Sequence, residues 1–165
     1  DAARVLQERV SRLASGVAVI KVGGATEVEM IEKKHRIEDA LEAVSSAQAE
    51  GIVPGGGTTL LACQDVKVKT ENEDQSFGVV IVKSALEAPI RQMAKNAGLS
   101  ADLLIEKVKL AGVEDGWDFK NNELVNMMEK GIIDPAKVVR VALQNSISVA
   151  SALITTNNAI VEVVK

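Results

Sequence analysis

Tyrosine is missing from this chain, and the other aromatics are scarce: two phenylalanines and one tryptophan in 165 residues. A protein that binds single-stranded nucleic acid by stacking needs exposed rings, so that class is disfavoured. Any core must be assembled from Ala, Val, Ile and Leu, which suits helices packed closely on helices. A basic excess is missing too. Lys and Arg number 19 against 23 Asp and Glu, a formal net charge of −4, which is the wrong sign for a phosphate-backbone binder. The two signs are mixed along the chain as on ordinary solvated faces. The single cysteine, Cys63, cannot close an internal disulfide, and its place in "TTLLAC" predicts a small core residue rather than a reactive thiol. With one histidine besides, no His/Cys metal cluster can form. No apolar run reaches the ~20 residues of a membrane span, and "DAARVLQERVSRLASG" is a charged amphipathic pattern rather than a signal peptide. Composition predicts a soluble, intracellular protein with no nucleic-acid or membrane partner. The chain also begins in what reads as mid-helix, which predicts a piece of something longer.

What is present is mostly helical patterning. Val5, Leu6, Val10 and Leu13 recur at helical spacing up to a stop at Ser15-Gly16. "GVAVIKVG", Gly16 to Gly23, is β-branched and glycine-bounded, and predicts a strand. Thr26 and Glu29 form a capping-box pair at the start of a long helix, with Ile37, Leu41 and Val44 on one face and Gly51 at its end. "GGGTTLLACQ" predicts a glycine loop opening directly into another helix, and Val66 to Gln75 a polar surface connection. Phe77 to Ala97 is helical in pattern with a break expected at Pro89. Ser100 can cap a helix through Leu110, and "AGVEDGWDFKNN" predicts a loop or hairpin around Trp117. Glu123 to Lys130 reads as a short helix stopped by Gly131. Asp134 as N-cap with Pro135 at the first helical position is a strong start signal. The helix that follows carries Val139, Leu143, Ser146, Ala150 and Leu153 on one side, with Ile147 and Ile154 close by, a surface wide enough to predict a buried central helix. "AIVEVV", Ala159 to Val164, predicts a terminal strand with nothing in the chain to pair with, hence a partner subunit or a missing segment. No internal repeat is evident.

Three features could carry chemistry. Gly55, Gly56 and Gly57 precede a helix, and such backbone lets an anion or sugar approach amide N–H groups; a tight packing loop explains the same residues. It is not a Walker A loop, which needs a lysine absent from "PGGGTTLL". Asp39 falls nearly opposite the apolar stripe of its helix, so a solvated carboxylate is the default, and a general base would have to lie close to a bound water or hydroxyl. Trp117 and Phe119 in "DGWDF" fit either an adenine neighbour or a minor core plug. Residue patterning alone reaches a mainly helical domain with one unusual loop, and no function.

Read together, however, "LQERVSRLASGVAVIKVGGATEVEMIEKKHRIEDALEAVSSAQAEGIVPGGGTTLL", "NEDQSFGVVIVKSALEAPIRQMAKNAG" and "GIIDPAKVVRVALQNSISVASALITT" closely resemble the group I chaperonins, the GroEL-type protein-folding machines. The resemblance runs from near Leu6 to the final strand. It implies a mainly α fold: a GroEL equatorial-domain-like helical bundle, a small α/β intermediate-domain segment and a short terminal strand. Residues 1–16 would close the apical domain, 17–49 would be the intermediate-domain segment, and 50–165 the C-terminal half of the equatorial domain. The last strand would join a sheet with a neighbouring subunit.

The resemblance also implies roles. Asp39, in "EDAL", matches the family's catalytic acid, which positions or activates the water attacking the γ-phosphate. Gly56 matches the glycine beside the nucleotide, with Gly55 and Gly57 flanking it, and Asp134 of "IDP" matches the aspartate near ribose and adenine. Asp118, Phe119 and Lys120 fall where the family places adenine contacts, although "WDFKN" departs from the more usual "YNAAT". The implied cofactors are ATP and Mg2+, with no metal ligand in this segment beyond an indirect role for Asp39. The implied partners are the other subunits of a heptameric-type ring, a co-chaperonin lid and unfolded polypeptides. The compartment would be the bacterial cytoplasm, or an organelle matrix or stroma. Phosphate and magnesium loops of the "GDGTT" type are absent, so the isolated chain is expected not to turn over ATP. The alternative is a non-catalytic helical interaction module with a chaperonin-like fold; an upstream reading frame encoding "GDGTT" would separate the two.

Overall fold

The computed structural model describes residues 18–158 together with 3, 5, 6, 9, 10, 13, 160 and 161. They fall into two units, Asp1–Leu41 and Glu42–Lys165. In the first unit the described residues before position 14 are helical; the expected stop at Ser15-Gly16 lies outside the described residues. The strand expected over Gly16 to Gly23 does not form where it is described, at 18–23. A strand exists by pairing, and among the described residues nothing is laddered to this segment; Val19 and Ile20 stay 76% and 58% exposed.

Helix α1 (Glu27–Glu50) starts as its sequence directs. The Glu29 amide donates to Thr26 Oγ1 at 3.2 Å, while Glu29 Oε2 accepts from the Ala25 amide at 2.8 Å, one residue earlier than the usual reciprocal bond of a capping box. Exposed pairs Glu29–Lys33, Glu32–Arg36 and Lys34–Glu38 run along it, each a few tenths of a kcal/mol. No residue of α1 is buried. Gly51, at φ 84°, ends it by donating its amide to Ala47 O at 2.7 Å.

In the second unit, β1 (Ile52–Pro54) pairs antiparallel with β4 (Ile133–Pro135) in the register Ile52↔Pro135, Val53↔Asp134, Pro54↔Ile133. A proline closes each end of this short ribbon, where a missing N–H costs least. The pairing corrects the expected role of Asp134. It is a strand residue, half-buried, and Pro135 occupies the N-cap position of α6 (Ala136–Ile154) with no side-chain cap bond. The competing demand was the ladder: the first helical amide, that of Ala136, already donates to Gly51 O at 3.0 Å.

Between the two strands lie α2 (Thr58–Ala62), a 3₁₀ turn (Cys63–Asp65), α3 (Glu73–Ala85), α4 (Ala88–Asn96), α5 (Ala101–Leu110) and a hairpin of β2 (Asp115–Asp118) and β3 (Glu123–Asn126). The Asn72 side chain caps α3 through the Gln75 amide at 2.9 Å. The break expected at Pro89 falls just ahead of it, at Leu86–Glu87, because proline obstructs the carbonyl four residues back, here that of Ala85. Helix α4 ends in a Schellman motif: the Leu99 amide reaches Ala94 O, the Gly98 amide reaches Lys95 O, and Gly98 sits at φ 71°. Ser100 stands at the N-cap of α5 but makes no side-chain cap bond. The helix expected over Glu123 to Lys130 is instead β3 and a turn ending at Gly131. Pairing with β2 overrides a weak local preference, and Asn126 Oδ1 accepts from the Glu129 amide at 3.0 Å to shape the turn.

The core gathers Leu61, Ile90, Ala94, Ala101, Leu104, Ile105 and Val108, with Met93, Leu99, Trp117 and Phe119 packed against it. It therefore lies among α2, α4, α5 and the hairpin. The expected burial of α6 is overturned, since none of its residues is buried and Ile147, Leu153 and Ile154 are 38%, 67% and 80% exposed. Its apolar side faces an open groove of about 540 Å³ shared with α3 and α4 and lined by Leu60, Ile81, Leu86 and Leu143 among others. Amphipathic pattern marks a face that wants cover without showing that cover is present. Cys63 is likewise exposed rather than in the core; it stands where α2 gives way to the 3₁₀ turn Cys63–Asp65. The terminal strand expected over 159–164 falls mostly outside the described residues; Ile160 and Val161 are not in a strand. The architecture is mainly α, as the sequence leads one to expect.

Candidate functional site

The glycine loop joins β1 to α2. Gly55 donates its amide to Ile132 O at 2.9 Å, which holds the loop against the end of β4. Gly56 and Gly57 take φ of 65° and 77°, in the left-handed region where a Cβ is penalised. Space is short as well. A Cβ on Gly55 would meet Ile132 O at 3.0 Å, one on Gly56 would meet Met127 Cε at 2.8 Å, and one on Gly57 would meet Ile90 Cβ and N at 3.1 Å. What approaches this backbone is the protein itself: β4 and its lead-in, the hairpin and α4.

A fourth glycine, which the sequence reading passed over, completes the contact. A Cβ on Gly116 of β2 would stand 2.1 Å from Thr58 Oγ1 and 2.8 Å from Met127 Cγ. Thr58 and Met127 are 2% and 0% exposed, and Thr58 Oγ1 has no hydrogen-bond partner among the described residues. A glycine inside a strand-like run is the signal that could have found it.

This junction forms one side of a cavity of about 510 Å³, within the range of small-molecule sites. Gly56, Asp118, Phe119 and Lys120, all singled out from the sequence, line it together. Met93, Trp117, Asn121, Lys130 and Ile132 complete the wall; of these five only Trp117 was named from the sequence, as an adenine neighbour or a core plug. Gly55, Gly57 and Asp134 do not line it. Asp134 is held opposite Val53, and burial pushes its carboxyl above the ordinary range. Asp39 stands exposed on α1, in the first unit.

Asp118 is 7% exposed, and its carboxylate is occupied by its own turn. Oδ1 accepts from the amides of Lys120 and Asn121 at 2.8 and 3.2 Å, and Oδ2 accepts from Asn121 Nδ2 at 2.7 Å. The Asn121 side chain first, then the backbone amides of Asn121 and Lys120 and the charge of Lys130, hold this carboxyl below its usual range. It shapes the hairpin end. Trp117 packs against the core with Lys107 Nζ 5.5 Å from the ring centroid, a cation–π geometry, so the plug reading of Trp117 is met, while the residue also lines the cavity.

The TCP-1/cpn60 chaperonin family model matches residues 5–163. The chain belongs to the TCP-1/cpn60 chaperonin family. A crystal structure of a group III chaperonin in the open state is similar, with a TM-score of 0.68 and 29% identity over 88% of this chain. The chain spans 32% of that chaperonin's length.

A nucleoside fits the cavity by size and by its mixture of Trp, Phe, Met and Ile walls with polar groups at the edge. A divalent cation does not fit: the one carboxylate present is committed to the turn, and the described residues contain no group of three or more His, Cys, Asp or Glu able to hold a metal. Among the described residues no helix is long and apolar enough to cross a membrane.

Proposed function

We propose that this chaperonin chain is part of a group I, GroEL-type subunit that folds bound polypeptides in a ring driven by ATP, and that the 510 Å³ cavity takes the base and sugar of the nucleotide. The observation that carries this reading is the meeting of Gly56, Asp118, Phe119 and Lys120 at one cavity, in a chain of that family. Trp117 and Phe119 are the aromatic residues of the cavity wall. The glycine loop supplies backbone that a sugar can approach from the cavity side while its other side is packed. Asp134 would act close by, towards the ribose.

On this reading residues 1–16, 17–49 and 50–165 belong to apical, intermediate and equatorial domains. Asp39 is the carboxylate that orients the attacking water and accepts its proton. It acts from a segment that swings, so that closure completes the catalytic set only when the machine is committed, a familiar form of gating. Mg2+ and the phosphates would be held by residues outside this chain. Ring neighbours, a co-chaperonin lid and non-native polypeptides are the partners, and the bacterial cytoplasm or an organelle matrix the setting.

The test is steady-state phosphate release by the longest chain the gene encodes, wild type beside Asp39→Ala, with nucleotide binding measured in parallel. Retained binding with collapsed hydrolysis is the expected result. Equal turnover in both would remove Asp39 from the mechanism. Absence of binding in both would favour a non-catalytic interaction module.

A further inference from the structure

The wall of the cavity beside the glycine loop carries one carboxamide whose orientation is set by a charge. Asn121 Nδ2 donates to Asp118 Oδ2 at 2.7 Å. Asp118 also accepts from the Lys120 and Asn121 amides through Oδ1, and its carboxyl is held below the ordinary range. At neutral pH it is therefore ionised, and an ionised carboxylate only accepts. The Asn121 side chain has to turn its NH₂ towards Asp118 and its Oδ1 away. That bond uses one N–H. The second N–H and both lone pairs of Oδ1 are left, and no side-chain hydrogen bond among the described residues engages them. Asn121 is exposed at the hairpin end and lines the cavity, so it brings an unused donor and an unused acceptor to the same wall. The other side chains there offer no equal acceptor. Lys120 and Lys130 carry donors only, and the Trp117 indole only donates. Asp118 is 7% exposed, and its turn fills three of its roughly four acceptor positions.

Adenine presents a donor, N6–H₂, beside a ring-nitrogen acceptor, and a carboxamide answers the pair with its oxygen and its N–H. We propose that Asn121 is the residue that reads the base of the nucleotide, Oδ1 accepting from the N6 amino group and the free N–H serving the ring nitrogen beside it. The inference rests on the reading that this cavity holds the base, and adds the side chain that recognises it. Asn121 lies outside Asp118, Phe119 and Lys120, the positions that the resemblance marks as adenine contacts. It is on this account a specificity-determining residue.

The test is calorimetric titration of the longest chain the gene encodes with two ligands, ADP and purine riboside diphosphate, which differs from ADP only in lacking the N6 amino group. Wild type is set beside Asn121→Ala and Asn121→Leu. Both variants remove the carboxamide, and leucine keeps its bulk. Wild type is expected to bind ADP about tenfold more tightly than the analogue. Each variant should lose about tenfold for ADP while the analogue changes by less than about twofold, and retained binding of the analogue shows that the site is still folded. Wild-type affinities for the two ligands within about twofold of each other would overturn the proposal. So would discrimination that survives in both variants. An equal loss for both ligands would also overturn it, by making Asn121 only a member of the turn. Failure of both nucleotides to bind the wild type would overturn the nucleotide reading itself, a result distinct from a wrong choice of residue.

Discussion

Substituting Gly116 by alanine adds one methyl group at the tightest point of the second unit. That carbon would lie 2.1 Å from Thr58 Oγ1, 2.8 Å from Met127 Cγ and 2.9 Å from Met127 Sδ, all well inside contact distance. Gly116 is not among the positive-φ glycines, so the penalty is steric, without a backbone-strain component. Met127 is unbranched and can shift, and the Thr58 hydroxyl has no bond to lose by rotating; overpacking of this kind costs about 1–3 kcal/mol. With three atoms displaced in a fully buried junction, the upper part of that range is expected, about 2–3 kcal/mol. Urea denaturation of Gly116→Ala should show a lower midpoint at unchanged slope. The cause is separable from general damage by a double-mutant cycle. Thr58→Ala removes the colliding oxygen, so the pair should be less destabilised than the sum of the single changes by about 1 kcal/mol or more, whereas Thr58→Ser keeps the oxygen and should not rescue. A Gly116→Ala protein within about 0.5 kcal/mol of wild type, or strict additivity with Thr58→Ala, would refute the packing argument, since contacting sites are expected to couple.

The orphaned hydroxyl of Thr58 gives a second expectation. Thr58→Val keeps the shape and removes a buried polar atom without a partner, so stability should hold or rise by about 0.5–1 kcal/mol; a loss above about 1 kcal/mol in the same urea titration would mean the hydroxyl is bonded in solution. Gly57→Ala and Gly131→Ala start from similar φ, 77° and 70°, but only Gly57 has atoms within 4 Å of the added carbon. Both should lose about 1 kcal/mol to backbone strain, with Gly57→Ala losing measurably more; equal losses would show that Ile90 and Met93 move aside freely. Glu87 binds Lys109 and Arg91 at 2.6 and 3.0 Å, and these bonds, Lys109 first, lower its carboxyl from 4.5 to about 2. A depressed carboxyl stabilises the fold above its unfolded value and loses that contribution as pH falls through the folded one. Stability should therefore decline between about pH 4.5 and 2, by roughly 1–2 kcal/mol once screening of the half-exposed partners is allowed for. Glu87→Gln should flatten that part of the pH profile, and an unchanged profile would remove Glu87 as its source.

How far the chain could be read in advance depended on where the determining contacts lie. The capping pair of Thr26 and Glu29, the stop at Gly51 and the break before Pro89 are local, with causes contained within a few residues, and each was legible. Asp134 was not, because a strand partner some eighty residues away in sequence, Val53, outbid a good local cap signal. Glu123 to Lys130 failed for the same reason, with β2 supplying the competing bonds. In α6 the pattern described the apolar face correctly but could not state whether anything covers it. The site divides in the same way. Gly56, Asp118, Phe119 and Lys120 were marked by resemblance and do converge on one cavity. Gly116, Thr58 and Met127 were missed because close packing between distant segments leaves no periodic trace, and Lys130 because a lysine near a helix-like run reads as solvated charge.

The ribbon of β1 and β4 has a topological consequence. Ile52 and Pro135 are ladder partners, so the chain between them leaves and returns at one point, and every buried apolar residue from Leu61 to Met127 falls inside that circuit. Such a segment has the form of an insertable cassette. Cut at the ribbon, 52–135 should retain its hydrophobic centre, and its adjoining ends could be fused to each other or set into a surface turn of another protein without stretching either host or guest.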